Sequence, residues 1–375
     1  MIFRALTYTI DFDNFDQKDF NRRLNAIRNL IPADQKIRTL RVNTIPIKRI
    51  NSKIFPIKLK QVLNFINQNE IRWLNISFDL SDKSKFEISE ASKVSLKILK
   101  EQKNVFINWI YNSNNKIALD ESCELILNIS RLNSSGYDNF RFGVSCNILP
   151  NTPFFPFSYG LKENEFSVAV ETINSFINNF SASKDYNETF DMTKKELLSF
   201  QKTFDRNKNF KGFDLSFAPF PDENVSVVDL YKKLGLSEFG SLGTTYITSE
   251  LTTFLKKFVL DQQLKTCGFN GVMFSLLEDK LLVKENNFKT FTINDFLLYS
   301  TVCGCGIDMV PVPGNILPEQ LRSLILDIHS ISNKYKKPLG VRILPIPNKK
   351  ENEFTQFDME FIENTRVIGI PKGYF

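Results

Sequence analysis

Gly306 to Pro347 reads GIDMVPVPGNILPEQLRSLILDIHSISNKYKKPLGVRILPIP. Ile307 to Val312 is an apolar run of strand length, and Pro313-Gly314 is a turn pair. Pro318 to Tyr335 carries Leu321, Leu324, Ile325 and Ile328 at helical spacing, and Gly340 to Ile346 is apolar again. Strand, helix and strand over short loops predict a βαβ unit with a parallel sheet, hence an α/β fold.

Working upstream, the same alternation continues. Gly271 to Leu277 (GVMFSLL) is an uninterrupted apolar run of the kind that forms a buried strand, with Glu278-Asp279 at its end. Ser249 to Lys265 is an amphipathic helix with Leu251, Phe254, Leu255, Phe258 and Val259 on one face, stopped at Cys267-Gly268. Asn294 to Val302 and Val227 to Leu234 also read as helices, and Lys211 to Pro221 as a strand. In the first half, Ile2 to Phe12 and Ile71 to Leu80 read as strands, and Asp16 is placed to cap a helix carrying Phe20, Leu24, Ile27 and Leu30. Polar stretches around Asn112–Lys116, Asn133–Asn139 and Ser183–Glu188 read as loops.

Three segments share an apolar-Pro-apolar-Pro pattern: Ala218 to Pro221, Val310 to Pro313 and Leu344 to Pro347. Proline cannot donate to a ladder, so each is expected to mark the end of pairing, at the C-terminal edge of its strand. That edge is where ligands bind in parallel α/β folds.

A chain of 375 residues with 42% hydrophobic and 24% charged residues is an ordinary globular composition, which excludes disordered, collagen-like and disulfide-scaffold classes. No export signal or membrane span is visible, and five cysteines without a C-x2-C pair fit a reduced, cytoplasmic setting. The net charge of +6 is unevenly spread. No acidic residue lies between Asp34 and Glu70, where Lys36, Arg38, Arg41, Lys48, Arg49, Lys53, Lys58 and Lys60 supply eight positive charges. The segment reads as strand and turn with its basic residues on the wet side, as an anion site, or as a nucleic-acid surface. The solvated reading leads and nucleic acid comes last.

Counting restricts the chemistry. His329, the single histidine, lies on a predicted helix one turn beyond Ile325, which argues against Ser-His-Asp, Cys-His or His-based zinc chemistry. Cys303-Gly304-Cys305-Gly306 follows a helix, and its readings as a reactive thiol, a soft-metal ligand or a buried structural pair stay open. Glu278, Asp279, Asp308, Asp214 and Glu171 stand near expected strand ends, where such carboxylates act as acid/base groups, ligate Mg²⁺, or merely cap and solvate.

Taken together, RFGVSCNILPNTPFFPFSY (Arg141–Tyr159), FDLSFAPFP (Phe213–Pro221), GFNGVMFSLLED (Gly268–Asp279), LLYSTVCGCGIDMVPVPG (Leu297–Gly314) and the stretch from Lys337 to Ile368 resemble the DUF711, or UPF0210, family. RVNTIP around Asn43 fits it more loosely. The resemblance spans nearly the whole chain and implies one domain over residues 1–375. Its implied fold is a roughly ten-stranded α/β barrel like that of pyruvate formate-lyase and ribonucleotide reductase, where a cysteine on an interior loop does radical chemistry. The resemblance makes Cys303 the natural counterpart to consider here. The family's Cys-Gly-Thr-Gly is Cys303-Gly304-Cys305-Gly306 in this chain, which argues against an essential Cys305. Gly160 stands where a His commonly follows the PFFPAAY-like motif, and Asn315 where Pro-Gly-Asp has its Asp. An ACT-domain protein is an implied partner. The tail Arg366-Val367-Ile368-Gly369 is similar to a glycyl-radical loop, but Ile370 replaces the aromatic residue, so a plain terminal strand is expected.

The expectation is therefore a metabolic enzyme, or a non-catalytic ligand-binding relative, acting on a small anion at the C-terminal strand edge. Cys303, Glu278 and Asp308 are the candidate catalytic residues; Arg41, Asn43, Arg342, Glu171 and Asp214 are the candidate binding residues. Homo-oligomerisation is a further expectation, and no membrane contact is expected.

Overall fold

The computed structural model describes all residues except 33–34, 49, 51–53, 113–114, 222–224 and 374–375. Arg49 and Lys53 of the basic segment therefore lie outside the described residues, as does part of the expected Asn112–Lys116 loop. Nine strands form one sheet: β1 (Ile2–Ile10), β2 (Ile37–Thr44), β3 (Trp73–Asp79), β4 (Val105–Ile110), β5 (Phe142–Cys146), β6 (Phe166–Glu171), β7 (Phe210–Asp214), β8 (Gly306–Pro313) and β9 (Leu339–Ile346). Their order is β7-β6-β1-β2-β3-β4-β5-β9-β8, covered by eleven α-helices among the described residues. None of these helices is long and apolar enough to cross a membrane.

Chain direction divides the sheet in two. β1 to β5 run parallel to one another. β6 runs antiparallel to β1 with β7 parallel to it, and β9 runs antiparallel to β5 with β8 parallel to it. The N-terminal ends of the first block thus share a rim with the C-terminal ends of the second, as Ile2 opposite Glu171 illustrates.

Local signals set most elements. Asp16 accepts hydrogen bonds from the N–H groups of Lys18 and Asp19 and caps helix Gln17–Arg28, which buries Phe20, Leu24 and Ile27. Helix Pro318–Tyr335 opens on its proline and buries Leu321, Leu324, Ile325 and Ile328. Helix Thr244–Leu260 begins five residues before the expected Ser249 and buries Leu251, Phe254, Leu255 and Phe258.

Several expectations are corrected. Helix Phe55–Gln68 occupies the end of the basic segment, where strand and turn were expected. β7 stops at Asp214, seven residues short of the expected end at Pro221. Gly271–Leu277 is not a continuous strand; it makes isolated parallel bridges, Val272 to Phe217 and Ser275 to Asp308, then a 3-10 turn at Leu276–Glu278. The chain around this segment touches both edges of the sheet. Cys267 N–H donates to Phe213 O at 2.9 Å on the β7 side, and Gly304 N–H donates to Val272 O at 2.7 Å on the β8 side. Gly271 and Gly304 approach so closely that a Cβ on Gly304 would lie 2.7 Å from the Gly271 Cα. Two of the three proline patterns do close their strands, β8 ending at Pro313 and β9 at Ile346, but residues within them still pair, Pro311 with Leu344 and Val312 with Pro345. The missing donor of Pro311 costs nothing because its carbonyl faces outward, accepting from Ile368 N–H at 2.9 Å. The tail, expected as a terminal strand, forms no named strand among the described residues; it makes an isolated bridge, Phe354 to Arg366, and separate backbone hydrogen bonds.

The loop 150–160 lies against the inner face of the sheet. Ser158 is its polar anchor: Asn43 Nδ2 donates to Ser158 Oγ at 2.8 Å, and Ser77 Oγ donates to Ser158 O at 2.8 Å. Phe157 takes the space beside Gly340, where a Cβ would come within 2.4 Å of its ring. This loop buries Phe154 and Phe155 against the site described next.

Candidate functional site

A cavity of about 450 Å³ opens at the shared rim. The first block lines it with Arg4 of β1, Ile37, Arg38 and Thr39 of β2, Trp73 of β3 and Phe106 of β4, from the N-terminal parts of their strands, and with Arg41 from the middle of β2. Phe220 and Glu278, beyond β7, line the facing side, with Arg342 of β9. Antiparallel joining of the two blocks brings N-terminal strand ends of the first to the same rim as C-terminal ends of the second. Beneath it lies an inner chamber of about 30 Å³, walled by Arg4, Arg41, Phe155, Glu278 and Arg342 in common with the outer one, and by Ser275 and Asp308.

Bulges aim two of these residues. Of the three register shifts in the sheet, one falls between Phe3 and Ala5, at Arg4, and another between Ile307 and Val310, at Asp308 and Met309. An extra residue on one strand bends the ladder and redirects a side chain, and Met309 takes a left-handed φ of 53° there.

Charge dominates the cavity. Lys36, Arg4, Arg38, Arg41, Arg72 and Arg342 line it against two carboxylates, Glu278 and Glu360. Arg342 donates from Nε and Nη2 to both oxygens of Asp308, at 2.6 and 2.9 Å. Burial works against the charge of Arg342, but the Asp308 carboxylate outweighs it and holds the guanidinium above its ordinary pKa. Arg4 donates to Ala218 O at 3.2 Å and to Glu278 Oε2 at 3.3 Å. Arg38 pairs with Glu171 and lies over the Phe220 ring at 4.3 Å. Arg72 pairs with Glu360 at 3.6 Å and lies over Phe361 at 4.3 Å.

Arg41 differs. It donates to Thr39 Oγ1 at 2.9 Å and weakly to Pro153 O at 3.4 Å, and has no carboxylate partner among the described residues. Burial lowers its pKa, and Arg4, Arg72 and Arg342 lower it further against the pull of Glu278, to about 9, so it is charged at neutral pH.

The candidates from the sequence separate into two groups. Arg41, Arg342, Glu278 and Asp308 meet in the cavity, and Glu171 adjoins it through Arg38. Asn43 belongs to the anchor of loop 150–160, accepting from Thr9 Oγ1 at 2.7 Å. Asp214 is buried, accepting from the N–H groups of Phe269 and Asn270 at 2.8 and 3.2 Å in the turn after Cys267. Cys303 lines neither chamber. It is buried beside Cys305, and Lys337 Nζ donates to its carbonyl at 2.5 Å. Burial alone would raise the Cys303 thiol; the hydrogen bond from Cys305, the charge of Lys337 and nearby N–H groups outweigh it and bring the pKa down. Both Asp308 oxygens are taken by Arg342, and no group of three or more metal-ligating side chains forms among the described residues. His329 is buried in its helix against Tyr111, its ring 5.0 Å away. Reading the sequence missed Arg4, Ser275 and the aromatic wall. The signal for Arg4 was present: a lone charge within the strand FRALTYTI.

The chain matches the family model DUF711, described as an uncharacterised ACR, over residues 17–360. It is 24% identical over 252 residues to a UPF0210 protein of Pyrobaculum aerophilum, covering 63% of this chain and 55% of the relative. To a UPF0210 protein of Thermoanaerobacter sp. it is 27% identical over 229 residues, 57% of the chain and 50% of the relative. To one of Oenococcus oeni it is 24% identical over 278 residues, 68% and 62% respectively. These matches span about half to three fifths of the relatives' length.

Proposed function

The chain belongs to the DUF711 family, and from that membership and the cavity together we propose that it binds a small anionic metabolite at the shared rim and acts on it there. The observation that carries this reading is Arg41, a cation with no carboxylate partner held among three other guanidiniums. Arg41 is partly buried beside the guanidiniums of Arg4, Arg72 and Arg342, and an anionic ligand supplies the charge that balances them. Glu278 borders both chambers, so it is the group placed to move a proton on a ligand held by Arg41. A binding protein without chemistry would use the same cations and leave Glu278 idle.

The bridges of residues 265–275 to both sheet edges support a closed barrel of two antiparallel five-strand halves, as the likeness to pyruvate formate-lyase and ribonucleotide reductase implies. The test of function is calorimetric titration with phosphate and with short mono- and dicarboxylates, on the wild type and on Arg41→Gln. Binding that weakens at least tenfold in the variant supports the reading; no binding of any anion, or equal binding by both proteins, overturns it.

A further inference from the structure

The two chambers differ in size, polarity and occupancy of their hydrogen bonds, and the difference defines a ligand. Ser275, 2% exposed, lines the inner chamber, and its hydroxyl has no hydrogen-bond partner. Buried hydroxyls are almost always paired, so this one is a donor held in reserve. Arg41 makes no hydrogen bond through Nη2 among the described residues. The inner chamber, at about 30 Å³, admits one small group. The outer chamber is fifteenfold larger and presents Trp73, Phe106, Phe140, Phe155 and Phe220.

We propose that the inner chamber is a carboxylate subsite, formed by Ser275 and Arg41, and that the ligand is an aryl or alkyl carboxylate whose apolar body lies in the aromatic outer chamber. This deepens the anion-site reading above and rests on it. A carboxylate accepts from a hydroxyl and a guanidinium together and is flat enough for a slot walled by Phe155 and Phe157. The rings outside stack on a planar body and exclude water from the ion pair, which strengthens it. Glu278, already engaged by Arg4, lines both chambers and so stands beside both the carboxylate subsite and the apolar body.

The chain has two tryptophans; Trp73 lines the outer chamber and Trp109 is fully buried elsewhere, so Trp73 emission reports occupancy of the outer chamber. Titration with 3-phenylpropionate, 3-phenylpropan-1-ol and inorganic phosphate, on wild type, Ser275→Ala, Arg41→Gln and Trp73→Phe, tests the proposal. The expected result is an emission change with the acid, at least tenfold weaker binding of the alcohol, and a several-fold loss of affinity for the acid in Ser275→Ala. Ser275→Ala removes only an unpaired hydroxyl, so it folds as the wild type does and its unfolding midpoint checks this. Equal binding of alcohol and acid, or unchanged affinity in Ser275→Ala, overturns the subsite. Phosphate binding that is lost in Arg41→Gln, with no binding of the acid, overturns the subsite while the anion-site reading stands; no binding by any probe overturns both.

Discussion

Asp308 and Arg342 meet across neighbouring parallel strands through two hydrogen bonds, at the one place where the β8–β9 register slips. The pair is almost wholly buried, with side chains 1% and 4% exposed. Removing one partner of such a pair costs about 3–5 kcal/mol because the other charge is left without compensation. Asp308→Ala is expected to lose that much in urea unfolding, the more so since Arg4 and Arg41 share the chamber. Asp308→Leu with Arg342→Met, which removes both charges, is expected to recover most of the loss. A double variant no more stable than Asp308→Ala would contradict this account.

Cys303 makes stability depend on pH. Its folded-state pKa is depressed, so the thiolate contributes stability that is complete above the unfolded thiol value of about 8.5 and is lost as pH falls through the lowered folded value. Wild-type stability is therefore expected to rise with pH below about 8.5, and Cys303→Ser to flatten that rise. Because Cys305 and Lys337 hold the pKa down, Cys305→Ala and Lys337→Met are each expected to move the thiolate absorbance midpoint upward. An unmoved midpoint would assign the shift elsewhere.

Gly304 tests how firmly the chain around 265–275 ties the sheet edges together. A Cβ there would lie 2.7 Å from the Gly271 Cα, a backbone atom that cannot rotate away. Gly304→Ala is expected to cost about 1–3 kcal/mol as overpacking, and to speed amide exchange at Gly304, whose N–H bonds Val272 O. Protection equal to wild type would show that the bridge tolerates separation.

Arg72 fastens the C-terminal loop over the cavity mouth. The loop's neck is closed by Thr355 N–H to Thr365 O at 2.9 Å, and Asn364 both accepts from Phe357 N–H at 2.6 Å and donates to Phe357 O at 3.0 Å. Its outer part rests on Arg72 through Glu360, whose side chain is 79% exposed, and through the Phe361 ring. Such exposed contacts contribute about 1 kcal/mol or less. Arg72→Ala is accordingly expected to change global stability by less than about 1 kcal/mol while hydrogen exchange at 358–363 accelerates. Global unfolding at lower denaturant would mean that the loop is part of the main core.

Five helices and about half of the strands were legible in the sequence because they answer to neighbours along the chain; helices Lys85–Glu101, Lys116–Ser130, Ile173–Ser183, Tyr186–Phe204 and Lys280–Phe288 were not read from it. The Asp16 cap, the apolar stripe of Pro318–Tyr335 and the βαβ unit around it depend on residues within a few turns of one another. Helix Phe55–Gln68 was hidden because Pro56, which suits a first helical turn, reads equally well as a turn signal. The strand expected at Gly271–Leu277 has the composition of a buried strand; its glycine-to-glycine contact with Gly304 and early 3-10 turn are tertiary facts.

The sequence by itself determined that this is an α/β protein, that histidine chemistry has almost no place in it, and that positive charge is concentrated after residue 35. It could not say which of those charges turn inward. That was decided when β6 and β9 paired antiparallel to β1 and β5, bringing the start of one strand block to the end of the other. Arg4 and Glu278 meet across 274 residues of chain, and no local pattern records such a contact. Periodicity reports which face of an element is buried; only the packing of loop 150–160 on the sheet reports what that face is buried against.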